Sequence, residues 1–458
     1  MTLSRPVRPH GAASTPRPRR SVRPGAGTPL RATALSATLV ASLACVTLLT
    51  LGSGWPGTSG VRPALAGEVV TRDGVPHVLN GAEPAAGRRD VALEELWRAG
   101  GDDDTIFFGN VVRVLEDEDR NVYVLDSQLS EIQVYAPDGT HLRTGQHEGE
   151  GPGEVRRPND MFFLPGGNIA LMQGFPGKVV VVDREGNPAS GFDYGTGDPS
   201  QGRFAVLVQG VSRGGTIALC GIDMRFSGGG ASEQTYFLAA CDANGTETHR
   251  YLTKSYTIDY SAFTLDEGAM DFVYSRFDVG PDGSLYVAPE RNRYAIQVMR
   301  PDGTLVRVIE RDYTSQVRDD AERQEARLTV EAIGRNYPAP LQGITVEDTE
   351  PDLVGLRAMD DGSLWVQPTL GEDAMDDGVL TVLDVFDGEG HFREQLALRA
   401  PGDSDRDSIH ILDTHRIVVV RGALDAFRSS QGVGGDAAGG EAAESVPLEI
   451  VCYALPEA

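Results

Sequence analysis

The chain has 458 residues, of which 40% are apolar, 24% charged and 7% aromatic. That is enough apolar material for a globular core and too much for a disordered chain. Asp and Glu total 67 against 41 Lys and Arg. Eight of those arginines lie in residues 1–66, which hold no acid, so the other 392 residues carry 33 positive and 67 negative side chains, a net charge of −34. A body this acidic repels phosphate backbones and anionic lipid, which excludes nucleic-acid binding and general attachment to anionic membranes.

In chain order, the first element is an address. Arg5, Arg8, Arg17, Arg19, Arg20, Arg23 and Arg31 form a basic region, and an uncharged apolar run follows from Ala32 to about Leu51. Gly/Pro-rich sequence then ends at Ala64-Leu65-Ala66. Basic, apolar, then small-x-small is the order that export machinery and signal peptidase read. A run of about 20 apolar residues also suffices to span a bilayer, so residues 1–66 are either a leader cleaved at Ala66 or a retained membrane anchor. Both readings place residues 67–458 outside the cytoplasm, in the periplasm, beyond the cell, or at the outer side of the membrane.

After about residue 90 a short pattern recurs six times: a turn bearing Gly, Asp or Asn, then alternating apolar residues. It covers residues 118–124, 165–171, 213–219, 281–287, 360–366 and, more weakly, 412–418. Each copy is a hairpin signal. A second hairpin turn follows most of them, at 134–139, 182–186, 241–245, 298–303 and 385–390. Two hairpins per unit make four antiparallel strands, and six such units predict an all-β, six-bladed β-propeller. The sixth unit has strands near 408–412, 416–420 and 448–453 and then the chain ends, one strand short. The strand-like segment from Val91 to Trp97 is expected to complete it and close the ring.

Residues 121–126, 132–135 and 137–139 resemble an NHL-type repeat. With Gly149-Glu150-Gly151-Pro152-Gly153-Glu154 after them, residues 68–456 are similar to the bacterial family of exported six-bladed propellers. The resemblance implies the fold and almost no chemistry, since propellers host binding scaffolds, lyases, hydrolases and sensors alike.

Three stretches interrupt the repeat. Residues 253–270 add length between units three and four, residues 314–335 read as a helix, and the Gly/Ala/Glu-rich residues near 432–444 read as a flexible loop. Such insertions lie over one propeller face and either lid a channel, contact a partner or form a solvated decoration. Outside the leader only Cys220, Cys241 and Cys452 remain, and Cys220 and Cys241 are either bridged or buried thiols.

Catalytic machinery is sparse, and no catalytic residue is assigned. Among the histidines only His410 falls on an expected inner strand, whereas a zinc site needs several converging on the axis. No cofactor is predicted; one Ca²⁺ on axial carboxylates such as Asp160 and Asp352 is the alternative. Polar and aromatic residues at or near the expected inner strands are Asn110, Arg113, Asn159, Asp160, Arg203, Tyr274, Arg276 and Arg357. Several arginines on an acidic body focus positive potential at one spot. The expected function is therefore a monomeric binding or interaction module for an anionic small ligand, a peptide or an envelope partner, with these eight residues at the axis. Three other readings stand beside it. One pairs the arginines with acids of adjacent blades; the second is a metal-dependent hydrolase or lyase acting at the axis; the third is a purely structural envelope or surface protein.

Overall fold

A computed structural model describes residues 67–456, apart from 102–105, 196–201, 228–229, 372–374 and 433–447. Six antiparallel sheets follow one another along the chain. Blade one comprises Val111–Glu116, Val122–Asp126, Glu131–Tyr135 and His141–Gly145; blade two Pro158–Phe163, Ile169–Gln173, Lys178–Val182 and Phe192–Asp193. Blade three has much longer strands: Arg203–Arg213, Thr216–Ser227, Ala231–Cys241 and Glu247–Asp259. Blade four is built from Phe277–Val279, Leu285–Val287, Ala295–Met299 and Leu305–Arg311, and blade five from Leu353–Ala358, Leu364–Pro368, Val379–Phe386 and Phe392–Arg399. Ser408–Ile411, Arg416–Arg421 and Glu449–Ala454 form the inner three strands of blade six.

The outer hairpins follow from one recurring device. In the turns at Asp138, Asp242, Asp302 and Asp387, the carboxylate accepts the backbone N–H of the residue two positions on, at 2.9 to 3.0 Å. Each Asp thereby satisfies a donor that the turn would otherwise orphan. Hydrogen bonds pull the exposed carboxyls below their usual range, chiefly from the Thr140 N–H for Asp138, the Thr246 N–H and then the Asn244 N–H for Asp242, and the Thr304 side chain and then its N–H for Asp302.

Apolar residues on both faces of each sheet make a core between every pair of neighbours. Leu125 and Ile132 of blade one pack with Met161 and Leu171 of blade two, and Ala170 and Val179 of blade two with Leu207 and Phe237 of blade three. Val206 and Tyr236 meet Phe277 and Val287, then Tyr294 and Ile296 meet Leu353 and Phe386. Leu383 packs on Ile417 and Tyr453, and Val418 and Ile450 pack on Val111 and Tyr135 of blade one. The last pairing closes the circle. The protein is a six-bladed β-propeller with four antiparallel strands per blade.

The ring closes through the N-terminal segment, with one correction of boundary. Strand Glu94–Gly100, not Val91–Trp97, is the outermost strand of blade six, antiparallel to Glu449–Ala454. Val91 and Ala92 belong instead to strand Arg88–Ala92, which runs parallel to the outer strand of blade five. The hairpin Glu68–Arg72/Val75–Asn80 runs along the outer strand of blade four in the same way. Leu93 separates the two roles, so the N-terminal segment covers three consecutive blade edges. Trp97 stacks on Tyr135 of blade one at 5.2 Å between ring centroids, fixing the closing strand across the last junction.

The interruptions resolve differently from one another. Residues 253–259 extend the outer strand of blade three, and 260–270 fold back over its long end; the segment is structural rather than added length. The expected helix spans Asp320–Gly334 and starts with a capping box, in which Asp319 and Glu322 each accept the other's backbone N–H. Its buried face, Ala326, Val330 and Ile333, packs toward blades three and four, so it is not a solvated decoration. From residue 433 the loop expected near 432–444 lies outside the described residues. Cys220 and Cys241 are unbridged. They face opposite sides of the blade-three sheet, Cys220 toward blade four and Cys241 toward blade two.

Candidate functional site

The inner strands of all six blades line one axial channel of about 250 Å³. Arg113, Asn159, Asp160 and Arg357, four of the eight expected residues, stand on its wall, joined by Arg213, Asp278 and His410. The wall is braced from blade to blade. Arg113 of blade one holds Asp160 of blade two through two bonds of 2.5 and 2.8 Å, and Asp160 also accepts the backbone N–H of Gly210 in blade three at 2.8 Å. Asn159 donates to the Leu207 carbonyl at 2.7 Å while its own Oδ1 is buried without a protein partner. Asp278 of blade four accepts the Ala358 N–H of blade five at 3.0 Å.

The channel cations are therefore not equivalent. Arg113 is 23% exposed and held in a bidentate pair with a carboxylate that is 2% exposed. Arg213 donates to the Ala358 carbonyl and to Asp360 at the rim. Arg357 is 33% exposed, and its ion pair with Asp278 is 3.6 Å long, beyond hydrogen-bond distance. Pairing with acids of adjacent blades is the outcome for Arg113, whereas Arg357, on the same channel wall, has a looser pair with Asp278. Burial first, and the charge of Arg113 second, push the His410 imidazole down to about 3, so the ring is neutral at physiological pH. Its Nε2 lies 3.2 Å from Ser408 Oγ.

The other four expected residues do not line the channel. Asn110 precedes blade one's inner strand, where its N–H and carbonyl are engaged by Asp126 and Ser127. Arg203 is exposed, because blade three's eleven-residue inner strand begins beyond the channel end. Tyr274 and Arg276 come just before the three-residue inner strand of blade four and line a second cavity, of about 110 Å³, beneath the long helix. The two cavities share Ser275 and Val354 as lining residues. Ser275 has φ of +61°, and this left-handed turn sends its two neighbours away from the axis.

Sequence reasoning missed Arg213, Asp278 and the whole second cavity. Arg213 stands in the turn that opens the 213–219 pattern, yet it is the last residue of the inner strand Arg203–Arg213. The second cavity left no local signal, since its charged residues come from positions 267 to 350. Asp352, named as a possible Ca²⁺ ligand, is buried and its carboxyl is pushed up by that burial. It lines neither cavity. Among the described residues no three His, Cys, Asp or Glu side chains converge as a metal site.

No family model matches the chain, and no curated protein matches it. Among solved structures it is similar to a predicted exported protein of Bacteroides fragilis, at 12% identity and a TM-score of 0.46, covering 83% of this chain and 100% of that one. A DUF4221-family protein of Bacteroides vulgatus is similar at 10% identity and a TM-score of 0.44, covering 80% and 98%. A gluconolactonase from Xanthomonas campestris is similar at 12% identity and a TM-score of 0.37, covering 79% and 99%. The likeness extends to the propeller architecture and no further.

Proposed function

We propose that the protein is an exported binding module whose axial channel takes a small anionic ligand, held on Arg357. The observation that supports this most is the position of Arg357: a guanidinium on the channel wall, a third exposed, with its nearest carboxylate at 3.6 Å. Such a group offers planar paired donors to an incoming carboxylate or phosphate at little cost in broken bonds. Neutral His410 and the unpartnered Oδ1 of Asn159 add one hydrogen-bonding group each for the rest of the ligand. Export rests on residues 1–66, whose arginines, apolar run and Ala64-Leu65-Ala66 have the order of a leader.

Melting of the full chain with citrate, oxalate, phosphate or chloride at matched ionic strength tests the channel. A ligand at a hundred times its Kd stabilises by about 2.7 kcal/mol, so binding raises the melting temperature visibly. At least one of the three polyvalent anions should do so beyond chloride, and Arg357→Gln should abolish that excess. An equal shift in wild type and variant, or no shift with any anion, rejects the axial reading. Fractionation of cells making the chain from its own start tests export: it must appear outside the cytoplasm.

A further inference from the structure

The second cavity is lined on one side by charge and on the other by hydrocarbon. Its charged wall is a buried network. Arg318, whose side chain is 1% exposed, donates to Glu267 at 2.6 and 2.9 Å and to Glu350 at 2.6 and 2.9 Å. Arg291 donates to Glu267 at 3.0 Å and to the Thr349 carbonyl at 2.9 Å, while its Nε is buried without a protein partner. Arg276, 3% exposed, donates through Nη2 to Asp271 and to the Phe272 carbonyl, which leaves its buried Nη1 unpartnered. Two lining arginines of one small cavity thus each keep a buried guanidinium nitrogen without a protein acceptor, an arrangement that costs free energy until an acceptor is supplied. The facing wall is apolar: Ala326 and Val330 of the long helix, with Met270 and Leu353.

Size and charge restrict what fits. A water needs only about 10–15 Å³ of such space, and a dry cavity of about 150 Å³ in another protein takes benzene, so about 110 Å³ admits one organic molecule smaller than that or a few waters. The lining guanidinium groups of Arg276, Arg291 and Arg318 balance the carboxylates of Glu267, Asp271 and Glu350. Behind them, Lys254 donates to the Gly268 and Asp271 carbonyls, and Asp352 adds the opposite charge. A balanced set tolerates one added negative charge far better than two. The apolar wall, finally, wants hydrocarbon.

We propose that this cavity binds a short-chain monocarboxylate, with its carboxylate on Arg276 and Arg291 and its alkyl tail against Ala326 and Val330. The site is independent of the axial reading, since Arg357 lies outside its lining. Titration calorimetry on the full chain with acetate, propionate, butyrate and phosphate tests it. One monocarboxylate should bind saturably at one per chain, phosphate should show no binding that survives Arg357→Gln, and Arg276→Met should weaken monocarboxylate binding at least tenfold. Ala326→Val, which only narrows the apolar wall, should weaken butyrate more than acetate; Arg357→Gln should change neither. Absence of saturable binding by any monocarboxylate would mean that the cavity holds water only, and the proposal falls. It falls equally if phosphate still binds in the Arg357→Gln variant, if Ala326→Val affects acetate and butyrate alike, or if Arg357→Gln removes the monocarboxylate binding.

Discussion

Asp160 shows how much a single side chain can carry in this ring. It takes two bonds from Arg113, one from the Gly210 N–H and one from the Met161 N–H, and so ties blades one, two and three at the axis. Removing it takes the bidentate carboxylate away from Arg113 and leaves the buried Gly210 N–H without this acceptor. Asp160→Ala should therefore cost roughly 3–5 kcal/mol of stability, read from the urea midpoint. Glu322 gives a prediction of opposite kind. It is 4% exposed, and burial, reinforced by the charges of Asp319 and Glu350, pushes its carboxyl up to about 7 despite its bond from the Asp319 N–H. A carboxyl whose folded pKa is raised contributes stability while protonated in both states, and that contribution is lost as pH rises from its ordinary value near 4.5 through about 7. Glu322→Gln keeps an acceptor for the cap and removes the ionisation. The variant should lose less stability than wild type between pH 4.5 and 7 and be the more stable protein at pH 8, as followed by thermal melts. A variant that tracks the wild-type profile would show that the helix dipole, which favours a negative charge in the first turn, outweighs burial here.

At the scale of elements, the N-terminal segment performs two separable tasks. Strands 68–72, 75–80 and 88–92 cover blade edges that are already complete four-stranded sheets, whereas 94–100 supplies a missing strand. Deleting residues 67–92 should leave the ring closed, with a small change in melting temperature and greater self-association through the uncovered edges. Deleting 67–100 removes Trp97 from Tyr135 and opens the ring, and should lower the melting temperature by several degrees more than deleting 67–92, each kcal/mol corresponding to only about 1 °C in a body of this size. Equal melting of the two truncations would contradict closure by 94–100. The hairpin signals were legible here because the turn chemistry is local: an Asp and a Gly a few residues apart suffice to specify the bend. The division at Leu93 was not. No Gly, Pro, Asn or Asp marks a turn between Val91 and Trp97, and only the docking of each half on a different blade decides the boundary.

Across the whole molecule, the three thiols of the body are sealed into three different inter-blade cores, Cys220 between blades three and four, Cys241 between two and three, Cys452 between six and one. Burial pushes the Cys241 thiol up to about 12 and the Cys452 thiol up to about 11, and holds Cys220 well above its ordinary value. All three should resist iodoacetamide in the native protein and become alkylated together on unfolding, as read by peptide mass mapping. Modification of one alone under native conditions would show that its core opens by itself.

Architecture, by contrast with the site, could be read from the amino-acid order. Six repeats of a turn and an alternating strand, a last unit one strand short and a spare strand at the other end leave a closed ring as the arrangement that buries every apolar face and pairs the inner three strands of each blade. The inner-strand positions followed, and with them Arg113, Asn159, Asp160 and Arg357 on the channel wall. The cavity beneath the helix was invisible, since no spacing rule links Arg276, Arg291, Arg318 and Glu350 across 75 positions. Nor does the order of residues say that Arg113 is spent on Asp160 while Arg357 is not. Periodicity is a property of neighbours along the chain, and it determined the fold. Pairing and burial are properties of neighbours in space, and the folded ring alone decided which charges are spent on partners in adjacent blades.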